Sequence, residues 1–229
     1  KDLKDRYPEA SINDQFKNHV MVPGFIEHHI HPFLSALTMN AEIIAIEEWD
    51  LPNNQSKAYR NRSSYMAQLS KIEKSMTDLS PLVTWGFHHY FHGELTREDL
   101  DKISEERPIL VMHRSYHEFI LNTAALEYFE ITQEFVDSLD EEARAYADFA
   151  RGHFSEQGMI SVFPKLLTFL GKPEYLLSGL QLTEKYLHQN GVTMIANPGA
   201  WLIESIQKAK NLILGDENTP FRSFFIPSA

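Results

Sequence analysis

The chain of 229 residues has no cysteine. Disulfide staples and zinc–thiolate centres are therefore excluded. Basic residues are scarce: 21 Lys and Arg stand against 32 Asp and Glu, a formal net charge of −11. No basic stripe is present, which argues against a nucleic-acid partner. The acidic run Asp140–Glu142 reads as a solvated helix face. No apolar run approaches the ~20 residues that a membrane helix needs, so no membrane partner is expected. A Gly-rich phosphate loop and a Gly-x-Ser-x-Gly elbow are both missing, as are internal repeats and low-complexity tracts. The first residue is Lys1, so a leader would not be visible, and a cytoplasmic location is the expectation.

What is present suits a folded domain. Hydrophobic residues make up 43% of the chain, with 15 Phe, 9 Tyr and 3 Trp. Each aromatic, once buried, removes about 150–250 Å² from water. Residues 1–18 are polar and read as a lead-in from a preceding region, with Pro8 and Asn13 at turns. From His19 the chain turns apolar and reads as a buried strand, with polar side chains gathered at its exit through Pro32. The stretch Phe33–Ile46 is apolar and reads as helix or mixed structure. Tyr65, Leu69, Ile72 and Met76 share one helical face and predict a helix over 58–77. Leu82–Phe87 and Ile109–Met112 read as strands. Thr96-Arg97-Glu98-Asp99 has the form of a capping box. A helix is expected from Asn122 or Thr123, an acidic helical stretch over 132–150, and irregular chain over 151–164. A helix at 179–189 should end before Gly191. Strands at 192–196 and 221–226 flank a predicted helix, Trp201–Leu214, closed by Gly215.

This alternation predicts α/β architecture with mostly parallel strands, four or five of them lining one sheet. A (β/α)₈ barrel takes eight strands and about 250 residues. With long insertions around 33–80 and 113–180, the chain reaches about half of such a barrel. The expectation is a partial TIM-like (β/α)₈ barrel with helical insertions, spanning 19–229.

The chemistry centres on histidine. On a strand, His29 and His31 would point to the same side, with Ile30 opposite. They stand at the strand's C-terminal end, where barrel enzymes build their sites. Paired imidazoles suit Zn²⁺, which would generate hydroxide from bound water. His88, His89 and His92 follow Trp85-Gly86-Phe87 and read either as the rim of a substrate pocket or as an exposed loop. Arg114 offers a planar fork to a substrate carboxylate or to a surface ion pair. His113 and His117 would share a metal only on a helix, and a strand or loop is expected there. Asn197-Pro198-Gly199 reads as pocket-facing or as a turn.

Val22-Pro23-Gly24-Phe25-Ile26-Glu27-His28-His29-Ile30-His31-Pro32 resembles the first-strand motif of the amidohydrolase superfamily, Pro-Gly-Phe-Ile-Asp, one variable residue, then His-x-His. Leu95–Ser104 with Arg107–Val111, and His113–His117 with Asn122-Thr123-Ala124-Ala125-Leu126, are similar to segments of its amidohydrolase 3 (YtcJ-like) group. Gly191-Val192-Thr193 resembles that group's Gly-Val-Thr strand entry. The resemblance implies a metal-dependent hydrolase acting on a C–N bond of an amide or cyclic amide. Its metal, a divalent ion best matched by zinc, would be held by His29 and His31. By motif position His117 would sit near the substrate or the metal. Arg114, His88 and His89, from their own chemistry and place in the chain, are the other residues expected to face a small-molecule substrate.

Some positions depart from that pattern. Glu27 replaces the usual Asp, and Tyr116 replaces a Gly. Gly158–Phe163 lacks the Glu or carboxylated Lys that bridges two metals, and Glu156 is offset from the bridging position. One metal is therefore expected rather than two. The family's remaining ligands and its Asp base would lie beyond Ala229, so no general base is named. The chain is expected to be an inactive portion by itself, with homodimerisation through exposed apolar surface. The alternative is a non-catalytic barrel relative that serves as a binding or scaffold protein.

Overall fold

A computed structural model describes residues 2–200 and 222–227. The lead-in starts with a short helix, α1 (Asp2–Arg6), and every residue from Leu3 to Ile26 is exposed. Strand β1 (Phe25–Glu27) is only three residues long, because its backbone pairing begins at Phe25, whose N–H donates to Gly191 O at 2.8 Å. It stops before His29 and His31, so the expected placement of both on a strand is corrected: His29 lies in the bend after β1. His31 is the N-cap of α2 (Pro32–Asn40), with Pro32 in the first turn, where its missing N–H costs nothing.

β2 (Glu42–Ile43) follows, then a small hairpin of β3 (Trp49–Asp50) and β4 (Gln55–Ser56). Helix α3 (Arg62–Ser75) is capped by Asn61, whose side chain accepts from Ser64 N–H, and it buries Tyr65, Leu69 and Ile72. β5 (Leu82–Phe87) is buried along its whole length and leads into α4 (His89–His92). The capping box at Thr96 forms as read and opens α5 (Arg97–Asp101). β6 (Ile109–His113) and β7 (Glu118–Leu121) are followed by α6 (Thr123–Tyr128), capped by Asn122.

Two later expectations are corrected. Residues 132–150 form not one helix but α7 (Gln133–Asp137) and α8 (Glu141–Ala145), each restarted by its own cap, Thr132 and Asp140, and then β8 (Ala147–Asp148). Residues 151–164 are not irregular: they hold β9 (His153–Ser155) and the start of α9 (Glu156–Leu170), which continues through Pro164. α10 (Pro173–Gln189) starts earlier than read, with Pro173 in its first turn, and Gly191 takes a positive φ of 76° just after it. β10 (Val192–Ala200) runs on through Asn197-Pro198-Gly199, so that stretch is strand rather than turn. β11 (Arg222–Pro227) is the last element described. The expected helix at Trp201–Leu214 and its stop at Gly215 lie outside the described residues.

The strands do not share one sheet, as the alternation suggested. β1, β10 and β11 form a three-stranded parallel sheet, with Phe25 opposite Val192 and Met194 opposite Arg222. A separate six-stranded sheet has the order β2-β5-β6-β7-β9-β8. Its first three strands are parallel and the remaining pairings antiparallel. The change of sense comes at the tight reversal between β6 and β7, where Tyr116 takes a φ of 62°. The six-stranded sheet is built from chain lying between β1 and β10.

Alternation along these central strands sorts the core into two layers. Val83, Trp85, Leu110, Met112, Phe119 and Leu121 pack toward α2 and α9. Leu82, Ile109, Val111 and Ile120 pack toward α3 and α5. Phe87 joins the second group although alternation from Val83 and Trp85 would put it in the first. Gly86, at φ +113°, accounts for the change: the β5–β6 register shifts there, and the bulge re-aims the residues that follow. A Cβ at Gly86 would fall 2.9 Å from Ile44 O, so only glycine fits.

Candidate functional site

Two histidine clusters stand at strand ends. The first is at the exit of β1. The rings of His29 and His31 have centroids 5.2 Å apart and planes at 90°. The backbone N–H of His29 donates to Glu27 Oε1 at 2.9 Å, which pins the bend. Nδ1 of His31 lies 3.1 Å from Oδ1 of Asn197 on the neighbouring strand β10. An amide oxygen only accepts, so Nδ1 donates in this contact, and in the neutral tautomer that donates there the acceptor nitrogen is Nε2.

The second cluster gathers at the ends of β5, β6, β7 and β9. Glu118 Oε2 lies 2.7 Å from His89 Nε2 and 2.7 Å from His153 Nε2. Hydrogen bonds from His153 and His89 hold the Glu118 carboxyl far below the usual carboxylate range. The same bond to Glu118 raises the pKa of His89. The ring of His113 stacks on that of His89 at 5.4 Å and 24°. Burial pushes the His113 pKa down to about 4, so it is neutral at physiological pH. Ser115 Oγ lies 2.7 Å from His113 Nδ1.

The remaining histidines in the region do other work. His92 is fully buried: its Nδ1 accepts from His88 N–H, its Nε2 lies 2.7 Å from Tyr59 O, and its ring stacks on Tyr65 at 4.5 Å. It is a core residue. His88 caps α4, its Nδ1 accepting from Tyr90 N–H at 3.2 Å. His117 is exposed and pairs with Glu156 at 3.1 Å. Arg114 is committed to Glu47 at 2.8 Å. The turn that carries both is tied to α2 through Tyr116, whose hydroxyl donates to Leu34 O at 2.8 Å and contacts Thr38 Oγ1. Burial drives the Tyr116 pKa well up.

Of the residues expected at the site, His29 and His31 come together, and His89 joins a cluster. Arg114 and His117 point to separate partners, while His88 caps α4 with its ring 5.4 Å from that of His113, at the edge of the second cluster. Glu118 and His153 were missed, whereas Asn197, read as pocket-facing or as part of a turn, meets His31. Glu118 directly follows His117 in sequence, but only the β6–β7 reversal turns it toward His89. His153 lay in a stretch read as irregular.

The sequence profile of the amidohydrolase family matches residues 16–213. The chain belongs to the amidohydrolase family. Two solved structures share the fold of this amidohydrolase chain. An uncharacterized metal-dependent hydrolase from Pyrococcus horikoshii OT3 superposes with a TM-score of 0.61 at 14% identity, over 90% of this chain and 36% of that one. An uncharacterized metal-dependent hydrolase from Pyrococcus furiosus gives 0.58 at 14% identity, over 93% and 41%. The amidohydrolase chain therefore spans well under half the length of each. Comparison with curated protein sequences gives no significant match.

Proposed function

We propose that this chain is part of a metal-dependent hydrolase that opens a C–N bond in a small amide or cyclic amide, with His29 and His31 as ligands to one Zn²⁺. The observation that carries this reading is the adjacent pair of rings at the β1 exit, with His31 oriented by Asn197 from the next strand. That second contact is what a metal-binding imidazole needs: one nitrogen donates to a fixed oxygen and the other presents its lone pair. Two imidazoles suit Zn²⁺ in a chain without thiolates. When bound there, a zinc ion would lower the pKa of its water to about 7 and polarise the scissile carbonyl.

The consecutive pairing β1-β10-β11, all parallel, supports reading these strands as part of a (β/α)₈ wall, with the six-stranded unit inserted between two of its neighbours. The metal-dependent hydrolases that share the fold favour the same reading. The non-catalytic alternative draws on Gly158. It lies inside α9, where a Cβ would meet Tyr146 O at 2.3 Å, so its segment serves helix packing.

The test uses the full-length protein, a panel of N-acyl and cyclic amides, and metal analysis. Hydrolysis should require one tightly held metal. The His29→Ala/His31→Ala variant should lose that metal and at least about a hundredfold in kcat/KM, since metal polarisation supplies several kcal/mol. Turnover unchanged in that variant would remove the pair from the mechanism.

A further inference from the structure

The six-stranded sheet brings a second set of ligands to one point, and the proposed hydrolytic centre uses none of them. His89 stands just past the Gly86 bulge, His113 ends β6, and Glu118 opens β7. One ligand atom from each lies within 4.8 Å of the others. We propose that His89, His113 and Glu118 form a binding site for a single divalent cation of the Zn²⁺ type, separate from His29 and His31.

Donor chemistry selects the ion. Two imidazoles and one carboxylate suit Zn²⁺, Co²⁺ or Ni²⁺, whereas Mg²⁺ and Ca²⁺ favour oxygen sets. Charge favours a cation as well. Three imidazoles, those of His89, His113 and His153, surround one carboxylate, which can balance only one of them if protonated. A divalent ion takes up neutral imidazoles and the carboxylate together.

Binding requires side-chain rearrangement among ligand atoms that now lie within 4.8 Å of one another. Bonds of about 2.0–2.2 Å in a tetrahedron set ligand atoms about 3.3 Å apart. The 2.7 Å contact of His89 Nε2 with Glu118 Oε2 would open by about half an ångström. His153 Nε2, 2.7 Å from the same oxygen, would keep donating to it and hold the carboxylate in place. His113 Nδ1 accepts from Ser115 N–H at 3.2 Å and lies 2.7 Å from the Ser115 hydroxyl, so ligation through Nε2 requires the ring proton to move to Nδ1, which then donates to Ser115 Oγ. The side chains of His89 and Glu118 are 39% and 20% exposed, which leaves the ion a route in and room for a water ligand.

The experiment separates this site from the hydrolytic one. The full chain is made as His29→Ala/His31→Ala and titrated with Zn²⁺ by calorimetry and with Co²⁺ by visible absorption. One equivalent should still bind, with the intense d–d bands of a four-coordinate ion. Adding Glu118→Gln or His89→Gln should weaken Zn²⁺ binding at least about a hundredfold and abolish those bands. Adding His153→Gln should weaken it by about 10–100-fold, as loss of an outer hydrogen bond does. Circular dichroism checks that each variant folds, and the Co²⁺ spectrum of the double variant stands independently of the third substitution. No ion bound in the double variant overturns the proposal. So does an ion whose affinity and spectrum ignore both Glu118→Gln and His89→Gln. If only the hydrolase reading fails, wild type binds one equivalent and the double variant keeps it.

Discussion

Asn122→Ala should destabilise the chain by about 4 kcal/mol, among the largest effects of any single polar substitution. The Asn122 side chain is fully buried and uses its whole hydrogen-bonding capacity. Its Oδ1 accepts from Ile109 N–H at 2.8 Å and Ala125 N–H at 2.9 Å. Its Nδ2 donates to Ser104 O and Arg107 O, both at 2.9 Å. One amide thus caps α6, starts β6 and fastens the turn that precedes β6. Alanine leaves four backbone groups without partners at about 1 kcal/mol each. Urea unfolding should show a lower midpoint with an unchanged slope. Asn122→Asp should be at least as harmful at neutral pH, since it sets a carboxylate against two carbonyl oxygens. A loss below about 1 kcal/mol for the alanine variant would contradict this reading. The asparagine of the amidohydrolase-like segment is thus an architectural residue.

Gly179→Leu should force α10 away from α2, costing about 3 kcal/mol or more. A Cβ at Gly179 would lie 2.2 Å from Ala36 O and 2.7 Å from Ala36 C, so the two backbones touch there. Both partners are backbone atoms, and no rotamer change relieves the clash. Because α2 starts beside His31, the displacement should also weaken metal binding by the His29/His31 pair, which calorimetric titration of the full chain would read. Ser178→Ala is the control. The Ser178 hydroxyl donates to Asn40 Oδ1 at 3.2 Å from an exposed position, and its loss should stay within about 0.5 kcal/mol. Equal effects from the two substitutions would show that the backbone contact is not what holds the helices together.

Features that depend on neighbouring residues were legible in the sequence. The Thr96 capping box, the helical stripe of Tyr65, Leu69 and Ile72, and the strands around Leu82 and Ile109 all form. Each rests on a propensity or a period that a short window contains. Features set by distant contacts were not legible. Sheet membership depends on which strand lies alongside, and the sense of β7 depends on a left-handed residue at Tyr116, a residue type that gives no such signal. Helix α9 contains both a glycine and a proline, which read as breakers. The helix nevertheless runs through both, and Gly158 sits where a Cβ would meet Tyr146 O, a contact that no short window of sequence reveals. Of the site, the adjacency of His29 and His31 was readable from their spacing. The Glu118 cluster was not, because it joins residues from β6, β7, β9 and the start of α4.

The pairing of β1 also bears on how the chain is made. Phe25 finds its strand partner only at Val192, 167 residues later. At about 5–20 residues per second, a ribosome needs about 8–33 s to deliver that partner. Throughout that interval β1 has no strand to pair with, while all the strands of the six-stranded sheet precede Val192 and are available to pair. Synthesis thus orders assembly from the middle outward, and the histidine pair at the β1 exit takes its position late.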